Sequence, residues 1–351
     1  MKKEGKMKKL LLATSILAGT AGLAAAEITL SGDARMGVLN DFSLDNSSDD
    51  TGFTSRARVA FTLSGEADTG LSFGASFRAD NSSSAANGLA GSVFISGAFG
   101  KLSMGDVDGA ALAAVGHVDG VGLTGLSDLN ESIYIANGGG TSNDDDSTDF
   151  DTFSGPATLT SDPTALYEYS TNGFGIYVSA TQPTYEGTDS AFGDFEGDAY
   201  ALGLNYAFEG YKVGFGYESL DVSEIGGAGN SLGIDHWILG GDATFGDFTM
   251  KARYGEASID ETASSADITQ YSLSGTYSMD AISVTAFLSD VDWGADTGAN
   301  VFQRSAYGIG ASYDLGGGAK VVGGIVDQEV TAGALDSVSD TAFDLGVSFS
   351  F

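Results

Sequence analysis

Apolar and polar residues alternate one by one along most of the chain, the period of an extended strand whose two faces meet different surroundings. Ile28, Leu30, Ala34, Met36 and Val38 fall on one face, with Thr29, Ser31, Asp33 and Arg35 on the other. Ala57, Val59, Phe61 and Leu63 oppose Arg56, Arg58, Thr62 and Ser64, and Leu71, Phe73, Ala75 and Phe77 oppose Ser72, Gly74, Ser76 and Arg78. The same period returns in Tyr200 to Phe208, Tyr211 to Tyr217 and Phe248 to Tyr254. Between Tyr307, Ile309, Ala311 and Tyr313 the opposite face holds only Ala306, Gly308, Gly310 and Ser312, too small to fill a core. Strands with lipid on one side and water on the other read this way, whereas soluble α/β proteins bury continuous apolar runs.

The alternation predicts sixteen strands, near 27–39, 53–65, 70–80, 91–99, 101–106, 164–171, 174–182, 197–208, 211–220, 233–245, 248–258, 268–279, 282–290, 305–314, 319–329 and 340–351. Tight turns such as Phe99-Gly100-Lys101, Glu209-Gly210, Gly246-Asp247 and Gly316-Gly317-Gly318 take turns with longer Asp/Ser/Gly-rich connections. An even number of antiparallel strands closed on itself leaves no backbone group unpaired in hydrocarbon, and sixteen leave a water-filled lumen. The expected fold is therefore all-β, a 16-stranded antiparallel transmembrane barrel over 27–351. Inward positions read as Gly, Ser, Thr and a few charges, with Tyr177 the main aromatic exception.

Residues 1–26 differ from the rest. Lys2, Lys3, Lys6, Lys8 and Lys9 precede an uncharged stretch from Leu10 to Ala25, and Ala24 and Ala26 supply a small-residue pattern before Glu27. This is the layout of a cleaved secretory signal, with cleavage expected after Ala26. No long apolar run follows Leu23, which argues against helical spans.

Removing the signal's five lysines and Glu4 leaves 10 basic against 47 acidic residues, a formal charge of about −37. Nucleic-acid binding needs clustered Lys and Arg and is excluded on that balance. The absence of cysteine removes disulfides, thiolate metal sites and thiol catalysis together. Enzymatic activity is not expected: of the two histidines, His236 has inward parity, and His117 lies in the longest connection without a nucleophile partner.

The start Glu27-Ile-Thr-Leu-Ser-Gly-Asp-Ala-Arg-Met-Gly37, the run Leu71-Ser-Phe-Gly-Ala-Ser-Phe77, Ser96-Gly-Ala-Phe-Gly-Lys101 and Tyr313-Asp-Leu-Gly-Gly-Gly-Ala-Lys320 resemble the general porins of Rhodobacter-type alphaproteobacteria. The resemblance implies an outer-membrane homotrimer of 16-stranded barrels for passive diffusion of small hydrophilic solutes. It also implies a third external loop folded into the lumen, facing arginines across a narrow passage. The connection 107–163, far longer than ordinary loops, is the candidate constriction loop.

Arg35, Arg56, Arg58 and Arg78 share inward parity and form the candidate basic side of that passage, since an Arg turned to lipid near the midplane costs about 2–4 kcal/mol. The candidate acidic side is Asp106, Asp108, Asp119, Asp128 and Glu131, although Ala110 to Val115 is uncharged where the resemblance leads one to expect an acid. Asp144, Asp145, Asp146, Asp149 and Asp151, mixed with hydroxyls, suit Ca²⁺; a solvated acidic loop and divalent bridging to lipopolysaccharide phosphate are the alternatives. No cofactor is required. Phe343, Phe349 and Phe351 end an alternating terminal segment that resembles the signal read by the outer-membrane assembly machinery. The acidic excess predicts weak cation preference at low salt.

Overall fold

The computed structural model describes residues 27–42, 51–86, 88, 90–135, 163–185, 195–223, 229–262, 265–295, 300–333 and 336–351. The expected signal segment and the Asp144, Asp145, Asp146, Asp149 and Asp151 group lie outside them. In chain order the elements are β1 (Glu27–Asn40), β2 (Gly52–Glu66), β3 (Ser72–Arg78), α1 (Ser82–Ala85), β4 (Ser92–Gly97), β5 (Gly100–Gly105) and α2 (Ala110–Val115). Then come β6 (Thr164–Thr171), β7 (Phe174–Thr181), β8 (Thr184–Tyr185), β9 (Phe195–Phe208), β10 (Tyr211–Ser223), β11 (Ser231–Phe245) and β12 (Phe248–Glu261). The last are β13 (Ser265–Met279), β14 (Ile282–Ala295), β15 (Asn300–Gly316), β16 (Ala319–Ala332) and β17 (Val338–Ser350).

Sequential strands pair antiparallel, and β17 returns to β1 in the register Asp33↔Ser350 to Asn40↔Phe343, so the sheet is a closed barrel. Both β7 and β8 pair with β9, and the break between them falls at Gln182-Pro183, where proline has no N–H to donate. Counted as one interrupted stave, β7 and β8 make this a 16-stranded barrel. The tight turns use the backbone geometry that matches strand twist: Asn172-Gly173 and Glu209-Gly210 have positive φ at both central residues (49° and 82°, 43° and 89°).

The outer face is apolar and open. Ile28, Leu30, Val59, Val213, Ile309 and Leu345 are all more than two-fifths exposed, which in water would be a large unpartnered surface and in a bilayer is the lipid contact. The strands from β11 onward run several residues past their expected ends: β13 begins at Ser265, β14 continues to Ala295 and β15 begins at Asn300. There the alternation inverts: Asp235, Asp260 and Asp292 take the outward positions, while Leu232, Ile259 and Val291 point inward and are buried in one cluster.

The inner face departs from the expected polar lining. Phe94, Phe287 and Trp293 also have inward parity, and Phe287 packs with Val121, Leu126, Leu129, Ala306 and Val326 in a buried cluster. Two further clusters join the loop residues Ala110, Ile135, Ala111, Ala114, Val115 and Tyr134 to wall residues such as Ile234, Ile259 and Ile238. The inner wall is thus a core wherever the long connection covers it.

Candidate pore constriction

The described part of that connection, Asp106 to Ile135, lies against the inner wall, where glycines let its backbone approach closely. A Cβ on Gly203 would fall 2.0 Å from the Ala110 carbonyl oxygen, and one on Gly216 would fall 2.6 Å from Ala111 Cβ. Gly240 is as close to Val115, and Gly308, Gly310 and Gly324 leave room for Val121 and Gly122. At the closing seam, Gly37 on β1 and Gly346 on β17 admit the Leu123 side chain. The uncharged run Ala110 to Val115 is a short helix, and its small residues let it press into this trench.

Polar side chains of inward parity then tie the loop down. Ala110 N–H donates to Ser179 Oγ at 2.8 Å, and Asn205 Nδ2 donates to the Ala114 carbonyl at 3.2 Å. Arg253 donates to the carbonyls of Gly116 and His117 at 2.8 and 3.0 Å and pairs with Asp242 at 2.7 Å. Asp119 accepts from Lys251 at 2.5 Å and from Thr276 at 3.0 Å. Ser289 Oγ donates to the Leu129 carbonyl at 2.5 Å. At the seam, Asp344 accepts from Thr124 N–H (2.7 Å), Thr124 Oγ1 (2.9 Å) and Gly324 N–H (3.1 Å), while Arg35 reaches the carbonyls of Leu123 and Thr124 at 3.5 Å.

Asp344→Ala would leave two half-buried N–H groups without this acceptor, each costing at most about 1 kcal/mol where water can replace it. We expect an intact barrel with a loosened loop tip, read as excess open-channel current noise; noise equal to the parent's would refute the anchoring role.

The four arginines come together as expected from parity. Arg35 stands opposite Arg56 and Asp33 opposite Arg58 on β1 and β2, with Arg78 following on β3. Their like charges are offset locally: Arg56 pairs with Asp33 at 3.3 Å, and Asp80 lies 3.9 Å from Arg58 and 3.5 Å from Arg78. The expected acidic side is not one group. Asp106 opens the loop with its N–H on the Gly91 carbonyl. Burial first, and Glu168 second, push the Asp108 carboxyl above its ordinary range. Asp119 is bound to the β12 and β13 wall, Asp128 sits in a left-handed turn at φ 44°, and Glu131 lies 3.7 Å from His117.

Sequence reasoning did not single out Asp344, Gln270, Glu218, Lys251 or Arg253, which fasten the loop. Their one visible signal was a charged or amide side chain at inward parity within a long strand. Phe343 and Phe351 are exposed on the outside, Phe349 is half-buried beside Ala34, and the Phe351 backbone extends the seam through Gly32 at 2.8 and 3.3 Å.

A closed barrel with an apolar exterior and a loop fastened against its inner wall defines an outer-membrane channel. The chain belongs to the Gram-negative porin family, whose model matches residues 13–333. It is similar to a porin of Rhodobacter capsulatus, 36% identical over 343 residues, covering 93% of this chain and all of that one. A porin of Fuscovulum blasticum is 28% identical over 346 residues, with the same coverage. A porin structure refined at 1.8 Å resolution superposes with a TM-score of 0.71 at 34% identity, covering 93% of this chain and all of that one. These relatives are channels rather than enzymes, and the chain is a multi-pass barrel of the outer membrane.

Proposed function

We propose that this porin is a general diffusion channel for small hydrophilic solutes and ions, with a weak preference for cations. The observation that supports it most directly is the loop seated on the inner wall of one part of the barrel while four arginines occupy another, so that the passage is narrowed and polarised together. Such an arrangement selects by size and by orientation of dipoles. Cation preference follows from the large acidic excess of the chain, whose field acts on ions as they approach.

The outer face supports two further parts of the reading. Outward positions of β1 to β5 carry Ile, Leu, Val, Met, Phe and small residues without a carboxylate, the face suited to neighbouring copies in a homotrimer. On β9 to β12, Asp198, Asp221, Asp235 and Asp260 line one depression at the long-loop end, above Tyr200, Tyr217 and Tyr254. Among the described residues no three Asp, Glu or His side chains converge to hold a metal ion, so divalent bridging to lipopolysaccharide phosphates would run through separate carboxylates there. Phe343, Phe349 and Phe351 remain the candidate recognition end for the assembly machinery.

Single-channel recording of the purified protein in planar bilayers tests the reading. Conductance steps grouped in threes and a cation-signed zero-current potential in dilute KCl are expected. The preference should fade toward 1 M salt, where the Debye length is about 3 Å. Absence of conductance, or an anion-signed potential in dilute KCl, would overturn the corresponding part.

A further inference from the structure

The only two histidines of the chain, His117 in the loop and His236 on β11, meet on either side of Tyr134, whose ring stands edge-on to each at 5.4 and 6.0 Å. We propose that they form an acid-sensitive clamp on the return segment Ser132 to Ile135, so that acidification releases the constriction loop and changes permeability. The proposal rests on reading Asp106 to Ile135 as the constriction.

Main-chain donors dictate the protonation of both rings. Ser132 N–H donates to His117 Nδ1 at 3.0 Å, so that nitrogen must keep its lone pair. At His236 the argument passes through Gln270. Its Oε1 accepts Ile133 N–H at 2.7 Å and its Nε2 donates to the Ile133 carbonyl at 2.9 Å, which fixes the amide's orientation. The same Nε2 lies 3.0 Å from His236 Nε2, which must therefore be the acceptor, leaving the ring proton on Nδ1 toward Glu218 at 2.7 Å. Glu218 also accepts Ile135 N–H at 3.1 Å. A second proton on His117 replaces the hydrogen bond accepted from Ser132 by two opposed N–H groups.

The charged neighbours differ for the two rings. His117 faces Glu131 at 3.7 Å, the phenol of Tyr134 and, from β12, the Arg253 guanidinium that holds its carbonyl. His236 faces Glu218 and Tyr134. Burial first, and Arg253 second, lower His117 from 6.5 to about 4. A released loop returns it to water and its ordinary value. Between those limits the released state binds more protons, so docking weakens as pH falls from about 6.5 and the loss levels off below about 4. The full loss is about 300-fold in the docking equilibrium.

The test compares the parent with His117→Asn, whose amide oxygen accepts from Ser132 N–H but takes no proton in this range. Single-channel current is recorded between pH 7.5 and 4, together with hydrogen exchange of the Ile133 and Ile135 amides corrected for intrinsic rate. Expected are a parent response of current level or noise between pH 6.5 and 4, accelerated exchange at both amides, and a variant that matches the parent at pH 7.5 yet loses most of the acid response. Titrating carboxylates would act on both proteins alike, so equal responses overturn the clamp. So does unchanged protection at pH 4.5. A protein that fails to conduct at pH 7.5 contradicts the channel reading instead, while exchange still decides the clamp.

Discussion

Replacing Ala110 to Tyr134 with a short Gly/Ser linker is expected to raise single-channel conductance roughly twofold or more, because this stretch lies against the inner wall and takes up part of the barrel's cross-section. The barrel should survive, since every strand keeps its two neighbours and the seam keeps its β1–β17 ladder. Exposed Phe287, Ile238 and Val326 would then line a wider lumen, at a cost in stability for the loss of buried apolar contacts. A paired variant should move the other way. In Gly216→Val the new side chain meets Ala111 at once, an overpacking worth about 1–3 kcal/mol, and α2 yields toward the lumen because the sheet behind it is fixed. Conductance below the parent's is the expected reading. A deletion that leaves the current unchanged would mean that the loop does not limit flow.

Replacing Arg35, Arg56, Arg58 and Arg78 together by Gln is expected to strengthen cation preference severalfold in dilute KCl. A unit charge ~7 Å from a passing ion contributes about 0.6 kcal/mol in water, close to a threefold change in relative permeability before screening. The Arg56, Arg58 and Arg78 side chains are one-sixth to one-quarter exposed, so screening trims each contribution. Removing them also uncovers Asp33 and Asp80, which adds in the same direction. Single Arg→Lys variants should stay near the parent, because charge and not the planar fork sets the field. The difference should vanish near 1 M salt; persistence there would point to altered pore size.

Much of this molecule was readable from parity alone. The lipid face is written residue by residue, because each outward position must be apolar while its neighbours are not, and a slip of one would turn Arg56 or Arg58 toward hydrocarbon. That is why the strand count and the closure agree with the structure, and why Arg35, Arg56, Arg58 and Arg78 fall on neighbouring strands. Parity fails on the inner face, where a Phe or Ile is tolerated only because something covers it. Phe287 and Ile238 face inward and are buried in clusters with the loop residues Leu129 and Val115.

The glycines carry the same lesson in another form. Gly203, Gly216 and Gly310 read as thin, polar-side positions, consistent with a water-filled interior, yet their use is to let a backbone lie against the wall. Absence of a side chain has no direction in a sequence, and neither has the partner of Asp344, which lies 220 positions away at Thr124. Solvent on each face of each strand is a local property, so the amino-acid order determined the barrel, its membrane and its basic patch. Which inner residues touch the loop, and which groups therefore line the open passage, depends on contacts between distant segments, and only the tertiary structure decided those.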